Sequence, residues 1–307
     1  MYRFKRLMVG LALSIEDEAK IRYASLVSRL ASSEEITFIH VKGSGKSQSP
    51  SSRMSHESIR ERMKELAREY CVYCRSGVQI DYEVFEESQL IDIQLLRRVK
   101  EKEVDLVVVG RISGEFTGQE SIPIRVTRKA PCSTLYIPRG SWPLGERPSD
   151  IRILVPVEFL EGHAIDAMQL AIDFAVEYKI PLITCVHVFD VPLGYYKRGK
   201  SYEEFSEIMR VNAEKRVEEF KSNFDFKGIP LESFLMRLEG KHYKAILDVA
   251  KRNDINLIVI GSRRKKAAAK FLLHSVTEQL IRTTPVPLLA VIKNGKGMSF
   301  FEALLRL

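Results

Sequence analysis

The sequence predicts an α/β protein made of two tandem doubly wound five-stranded parallel-sheet domains, and three observations carry that prediction. Apolar strand-like runs alternate with helical periods along most of the chain. The second half repeats the pattern of the first in the same order. A Pro- and Gly-rich stretch, "PRGSWPLGERPSD", separates the two. Near-continuous apolar strands divided by helices require a parallel sheet covered on both faces, because right-handed crossovers lay helices over each side.

The first strand of each unit comes from "KRLMVGLALS" and its counterpart "IRILVPVEFL". Basic residues ahead of a short apolar stretch give the start of the chain the look of a secretion signal. The internal copy lies where no signal could act, so both are read as strands. The second strands are "ITFIHVKG" and "LITCVHVFD", the fourth "VDLVVVG" and "INLIVIG", and the last lie in "RKAPCSTLYIPRG" and "RTTPVPLLAVIKNG". In the second copy, strands are expected near 151–157, 181–189, 230–237, 256–261 and 286–292. Helical periodicity fills the gaps, as in "AIDAMQLAIDFAVEY" and "KHYKAILDVAKRN". A repeat of this period is a duplicated domain. The predicted organisation is a first domain over 1–140, a linker over 141–150, a second domain over 151–294 and a tail helix over 295–307.

A chain of 307 residues suits two domains, and 45% hydrophobic with 29% charged residues is ordinary for a globular protein. No apolar run reaches the roughly 20 residues of a membrane-spanning helix, so no membrane partner is expected. The formal net charge of +8 is spread over interleaved signs, as in "ESIRERMKELAREY". Such runs are solvated helix faces, and nucleic acid is not an expected partner. Of four cysteines, Cys71 and Cys74 form a C-x-x-C without the second pair or nearby histidines of a zinc site. They are read as packing on one helix face. With Cys132 and Cys185 in strands, the pattern suits a reducing cytoplasm, and no metal is expected. "HVKGSGKSQSPSSRMS" holds Gly45-Lys46-Ser47, a phosphate-loop fragment, but His40 stands where the motif needs its first glycine. Residues 42–55 are read as a flexible connection.

The tandem of five-stranded units, each closing with strand, loop, helix, (A/T)P and a last strand, resembles a tandem universal stress protein, an adenine-nucleotide alpha-hydrolase-like fold. The resemblance covers almost the whole chain. Nucleotide-binding members of that family carry G-x2-G-x9-G-(S/T) after the fourth strand and an acidic residue just after the first. Here Gly261-x2-Arg264-x9-His274-Ser275 keeps the spacing while replacing the second and third glycines, and Glu158 stands at the acidic position. Glycines let backbone N–H groups close around a phosphate, and the next helix adds its positive end. His274 places an imidazole where the phosphate would lie. Arg263, Arg264, Lys265, Lys266 and Lys270 offer side-chain cations instead.

The resemblance thus implies a degraded ATP or AMP site in the second unit, formed by Glu158, Val186, Val188, Gly261, Ser262, Arg264, His274, Ser275 and Val276, with the two valines beside the base. In the first unit Gly110 is retained, Glu120-Ser121 faces the missing glycine, and Ala12 holds the acidic position. No nucleotide is expected there, and Ser121 and Pro123 are read as ordinary helix-start residues.

His40 and His187 occupy equivalent strand ends but lack a predictable catalytic partner, so no catalytic residue is assigned. Residues 194–205, with Tyr195, Tyr196 and Tyr202, are read as a lid over the second crevice, a surface contacting the other domain, or a helix lead-in. The tail residues Phe300, Phe301, Leu304 and Leu305 are expected to pack on a domain or a partner chain. The first functional expectation is a non-enzymatic, cytoplasmic stress-response protein whose domains pair as a pseudo-dimer through "CSTLYI" and "PLLAVI", with a homodimer or an unidentified protein as further partner. The alternatives are a nucleotide hydrolase or adenylyl-transfer enzyme on the same fold, and a binding scaffold without nucleotide.

Overall fold

The computed structural model describes residues 4–42, 50–86, 90–110, 121–141, 147–158, 163–199, 201–262 and 276–292. The first half runs β1 (Arg6–Leu11), α1 (Asp17–Ala31), β2 (Glu35–Lys42), α2 (His56–Tyr70), β3 (Gln79–Glu86), α3 (Ile91–Glu101), β4 (Leu106–Gly110), α4 (Ile122–Lys129) and β5 (Ser133–Ile137). The second repeats it as β6 (Ile153–Pro156), α5 (His163–Tyr178), β7 (Ile183–Phe189), α6 (Tyr202–Lys221), β8 (Leu231–Arg237), α7 (His242–Arg252), β9 (Leu257–Gly261), α8 (Val276–Thr283) and β10 (Leu288–Val291). The observed strands of the second half fall inside the expected ranges, because each is an apolar run bounded by polar or turn residues.

All ten strands join one sheet in the order β3-β2-β1-β4-β5-β10-β9-β6-β7-β8. Pairing is parallel within each half, and β5 meets β10 antiparallel, Leu135 opposite Leu289. The strands of the two halves therefore run in opposite directions. Strand order reverses between β1 and β4, and again between β6 and β9, so each half has its own crevice at the carboxyl ends of those strands. The two crevices open at opposite ends of the strands.

Alternation of side chains sorts the core into layers. Leu7, Val9 and Leu11 face α1, while Met8 faces α3 and α4. One cluster under α1, α2 and α5 runs through both halves without a break. The seam is also hydrogen-bonded. Tyr178 donates its hydroxyl to the Leu26 carbonyl at 2.6 Å, Tyr23 to that of Asn256 at 3.1 Å, and Arg128 reaches Glu278 at 2.5 Å. Burial pushes both phenols far above the ordinary tyrosine range, consistent with groups that serve only as neutral donors.

Local chemistry sets the helix ends. Ser55 caps α2 by accepting from the Ser58 amide at 3.1 Å, and Ser201 with Glu204 makes a reciprocal capping box on α6. Ser121 does stand at the cap position of α4, with Pro123 in the first turn, but its hydroxyl makes no capping hydrogen bond. Residues 50–53 of the expected flexible connection form a 3-10 turn, and 43–49 lie outside the described residues, as does the 295–307 tail. The reading of Cys71 and Cys74 as a helix face is corrected. α2 ends at Tyr70, Cys71 is its C-cap residue, and Cys74 lies in the following turn with its sulfur bonded to that of Cys71.

Candidate ligand crevices

The first crevice is closed by its own side chains. α1 begins with Asp17, whose carboxylate turns back onto the loop after β1 and accepts from the amides of Ala12 and Ser14, each at 3.1 Å. One turn later Lys20 pairs with Asp17 and donates to the Gly10 carbonyl at 2.9 Å. Both are buried, Asp17 at 0% and Lys20 at 3% exposure. The stem of Lys20 lies against Gly110 so closely that a Cβ there would sit 3.1 Å from the Lys20 Cδ. What remains is a cavity of about 40 Å³ lined by Gly10, Lys20, Ile39, Leu95, Val109 and Ile122. That holds about one water, whereas drug-sized ligands occupy roughly 300 Å³ or more. Sequence reasoning missed this pair. Its one signal was the acid-x-x-base spacing of Asp17 and Lys20 in the first turn of the helix.

The second crevice is built differently. Pro156 lacks an N–H, and the ladder between β6 and β9 stops at Leu154 opposite Ile258. In the first half the same ladder continues one step further, to Val9 opposite Val108. Aligned on the histidine pair and on the buried face, Ala167 takes the place of Lys20 in α5, so no long side chain rises from that helix position. The start of α5 instead comes in against β9. A Cβ on Gly261 would lie 2.9 Å from the Cβ of His163 and nearer still to the His163 carbonyl group. Only a residue without a side chain fits that approach.

The expected site residues divide accordingly. Glu158 is exposed just past β6 and within electrostatic reach of the His187 ring. Gly261 ends β9, and the Ser262 amide donates to the Val291 carbonyl at 2.7 Å. Val276 opens α8 and packs with Val188 against the core between sheet, α7 and α8. Val188 keeps part of its surface, but Val186 is 1% exposed. The side chain of Val186 is turned into the core, so only its backbone is left to meet a base. Arg264, His274 and Ser275 lie outside the described residues.

The two histidines are strand ties. His40 Nδ1–H donates to the Leu11 carbonyl and His187 Nδ1–H to that of Val157, both at 2.9 Å. Burial pushes both imidazoles below the usual histidine range, against the pull of those hydrogen bonds. Each ring thus stitches the end of one strand to its neighbour in neutral form. Residues 194–205 contain a 3-10 turn, Tyr195–Arg198, and the capped start of α6. Tyr195 meets Tyr196 and Tyr202 edge-on with ring centres 5.9 and 5.4 Å apart. No group of three metal-ligating side chains occurs among the described residues.

Residues 151–291 match the model of the universal stress protein family. The chain carries a universal stress protein domain. Universal stress protein MJ0531 of Methanocaldococcus jannaschii is 26% identical over 147 residues, which cover 47% of this chain and 84% of that protein. A universal stress protein from Archaeoglobus fulgidus covers 95% of this chain and 100% of its own at 16% identity, with a TM-score of 0.63. At that identity the likeness is one of fold, and it extends the universal stress architecture to the first half. A solved universal stress protein in complex with cAMP covers 44% of this chain and 98% of its own at 16% identity, with a TM-score of 0.35. Among the described residues, the universal stress domain at 151–291 shows no buried lysine like Lys20 at its crevice. No helix among the described residues is long and apolar enough to cross a membrane.

Proposed function

We propose that the chain is a non-enzymatic stress-response protein in which the second half holds the ligand crevice and the first half is a structural partner. The observation that carries this reading is the asymmetry between the two crevices. Asp17 and Lys20 use the loop amides and the strand carbonyl of the first, while the second keeps Glu158 exposed and shows no matching buried acid–lysine pair among the described residues. A nucleotide phosphate, ATP, AMP or a cyclic nucleotide, is the ligand class that the retained Gly261 and the basic stretch after it fit. Cytoplasmic residence and pairing with a second copy of the chain belong to the same reading.

The two crevice histidines are held at the strand ends. Both already spend Nδ1–H on a strand carbonyl, and no metal-ligating cluster accompanies them among the described residues. A hydrolase needs a group to orient water and one to balance phosphate charge. Ligand binding without turnover is therefore preferred to the enzyme reading.

Calorimetric titration of ATP, AMP and cAMP tests it. Wild-type protein should bind weakly, Glu158→Ala more weakly still, and His274→Gly more tightly because it restores the glycine of the family's motif. Tight binding indifferent to Glu158 and His274 would overturn the assignment to the second half. Turnover of ATP at about 1 s⁻¹ or faster would establish an enzyme instead.

A further inference from the structure

We propose that Cys71 and Cys74 form a reversible thiol–disulfide exchange site that couples oxidation to the seam between the two halves. The two sulfurs are bonded across two intervening residues, while Cys132 and Cys185 are buried away from them. Both members of the pair keep part of their surface, and Val72 between them is 53% exposed. A solvent-borne thiol therefore reaches the bond, which it cannot do at the other two cysteines.

The turn that carries the pair bears on both halves. Cys71, Tyr73, Cys74 and Val78 pack against the core cluster that α1 and α5 share. The next residue, Arg75, donates to the Ser32 hydroxyl at 2.8 Å, at the end of α1, and lies 3.8 Å from Glu177 of α5. Arg29 holds the same Glu177 carboxylate at 3.1 Å. A covalent ring through residues 71 and 74 restricts the backbone immediately before the side chain that bridges the halves. Opening the ring returns that freedom.

The chemistry balances with a dithiol. One of its thiolates attacks the Cys71 sulfur, forming a mixed disulfide and expelling Cys74 as thiolate. The second thiol then displaces Cys71, so two electrons pass to the protein, the dithiol becomes a disulfide, and each released cysteine takes a proton. Cys71 is the sulfur attacked because the carboxyl end of α2 disfavours negative charge there, leaving Cys74 the better leaving group. A low-molecular-weight disulfide runs the reaction backward, oxidising the pair and leaving as two thiols. In a reducing compartment the open form is the resting one, and the bond records an oxidising episode.

The test uses the full chain equilibrated with oxidised glutathione or with dithiothreitol, alkylated without denaturant and read residue by residue by mass spectrometry. Cys71 and Cys74 should both resist alkylation after oxidised glutathione and both take it after dithiothreitol, with Cys132 and Cys185 unlabelled throughout. Amide exchange across 71–78 and at the carboxyl end of α5 should lose protection in the reduced protein. Free thiols at both positions in oxidised glutathione would overturn the site, and unchanged exchange in α5 would overturn its coupling to the seam. The Cys71→Ser/Cys74→Ser variant should exchange like reduced protein in either buffer; a redox response that survives in it would also overturn the proposal.

Discussion

Two glycines in equivalent positions give a matched experiment, because their neighbours differ in kind. Gly110 and Gly261 end β4 and β9, and neither needs a positive φ. Where the backbone tolerates it, a Gly-to-Ala change stabilises by about 0.4–1 kcal/mol, since the unfolded chain loses freedom. At Gly110 the new methyl would stand 3.1 Å from the Lys20 Cδ and 3.0 Å from the Ile137 carbonyl oxygen. The lysine stem can rotate by a few tenths of an ångström, though the carbonyl yields less. Gly110→Ala should therefore fall within about 1 kcal/mol of wild type in either direction.

At Gly261 the obstruction is the backbone of His163, with the His163 Cβ at 2.9 Å and its carbonyl group closer. Relief requires the first turn of α5 to move as a body, and overpacking of that kind costs about 1–3 kcal/mol. A loss of about 2 kcal/mol would lower Tm by roughly 3 °C in a chain of this length. Parallel denaturant melts of the two variants, fitted with a common slope, read the difference directly. Equal midpoints would refute the idea that α5 is seated on bare glycine. The same displacement opens the second crevice, so Gly261→Ala should also alter nucleotide affinity while Gly110→Ala leaves it alone.

Two further outcomes follow from the first crevice and the strand ties. Lys20→Met removes the cation from a buried pair and should cost about 3 kcal/mol in a denaturant melt, at the low end for such losses because Asp17 keeps two amide donors. A cost under about 1 kcal/mol for Lys20→Met would show that the pair does not hold the crevice shut. The histidines set a pH dependence. Burial lowers both folded pKa values beneath the ordinary 6.5, and at His40 the nearby Asp17 and Lys20 charges act in opposite senses. The unfolded chain then binds more protons below that pH, so their contribution to stability is complete above about 6.5 and is lost as pH falls toward the folded pKa, at up to about 1.4 kcal/mol per pH unit per histidine. Melts of wild type and His40→Asn between pH 7 and pH 5 check this, and an equal slope in both would exclude His40 as a contributor.

The sheet was legible because every central strand is apolar on both faces and bounded by polar or turn residues, so period and length alone fix it. The equivalence of His40 and His187 was legible too, since a repeat displays it without any knowledge of contacts. The plug of the first crevice was not. Asp17 and Lys20 are spaced like countless solvated helix pairs, and only the packing of α1 under β1 and β4 takes them out of water. The cysteine error has a similar origin. Nothing in "EYCVYC" stops a helix by composition, and α2 ends there because the chain must turn into β3, with Gly77 at a φ of +92° completing the reversal.

Duplication explains why the two crevices could part ways. A parallel sheet leaves open main-chain groups at the carboxyl ends of its central strands, and something must satisfy them: a ligand, water or a side chain. In the first half the chain supplies its own carboxylate to the loop amides and its own ammonium to a strand carbonyl, and the crevice becomes part of the core. That solution requires an acid and a long cation one turn apart in α1, and Ala164 and Ala167 at the matching positions of α5 withhold both. An aspartate in place of Ala164 with a lysine in place of Ala167 should therefore fill the second crevice as Asp17 and Lys20 fill the first. If Ala164→Asp/Ala167→Lys left nucleotide binding undiminished while the protein stayed folded, the difference between the halves would have to lie elsewhere than in that pair.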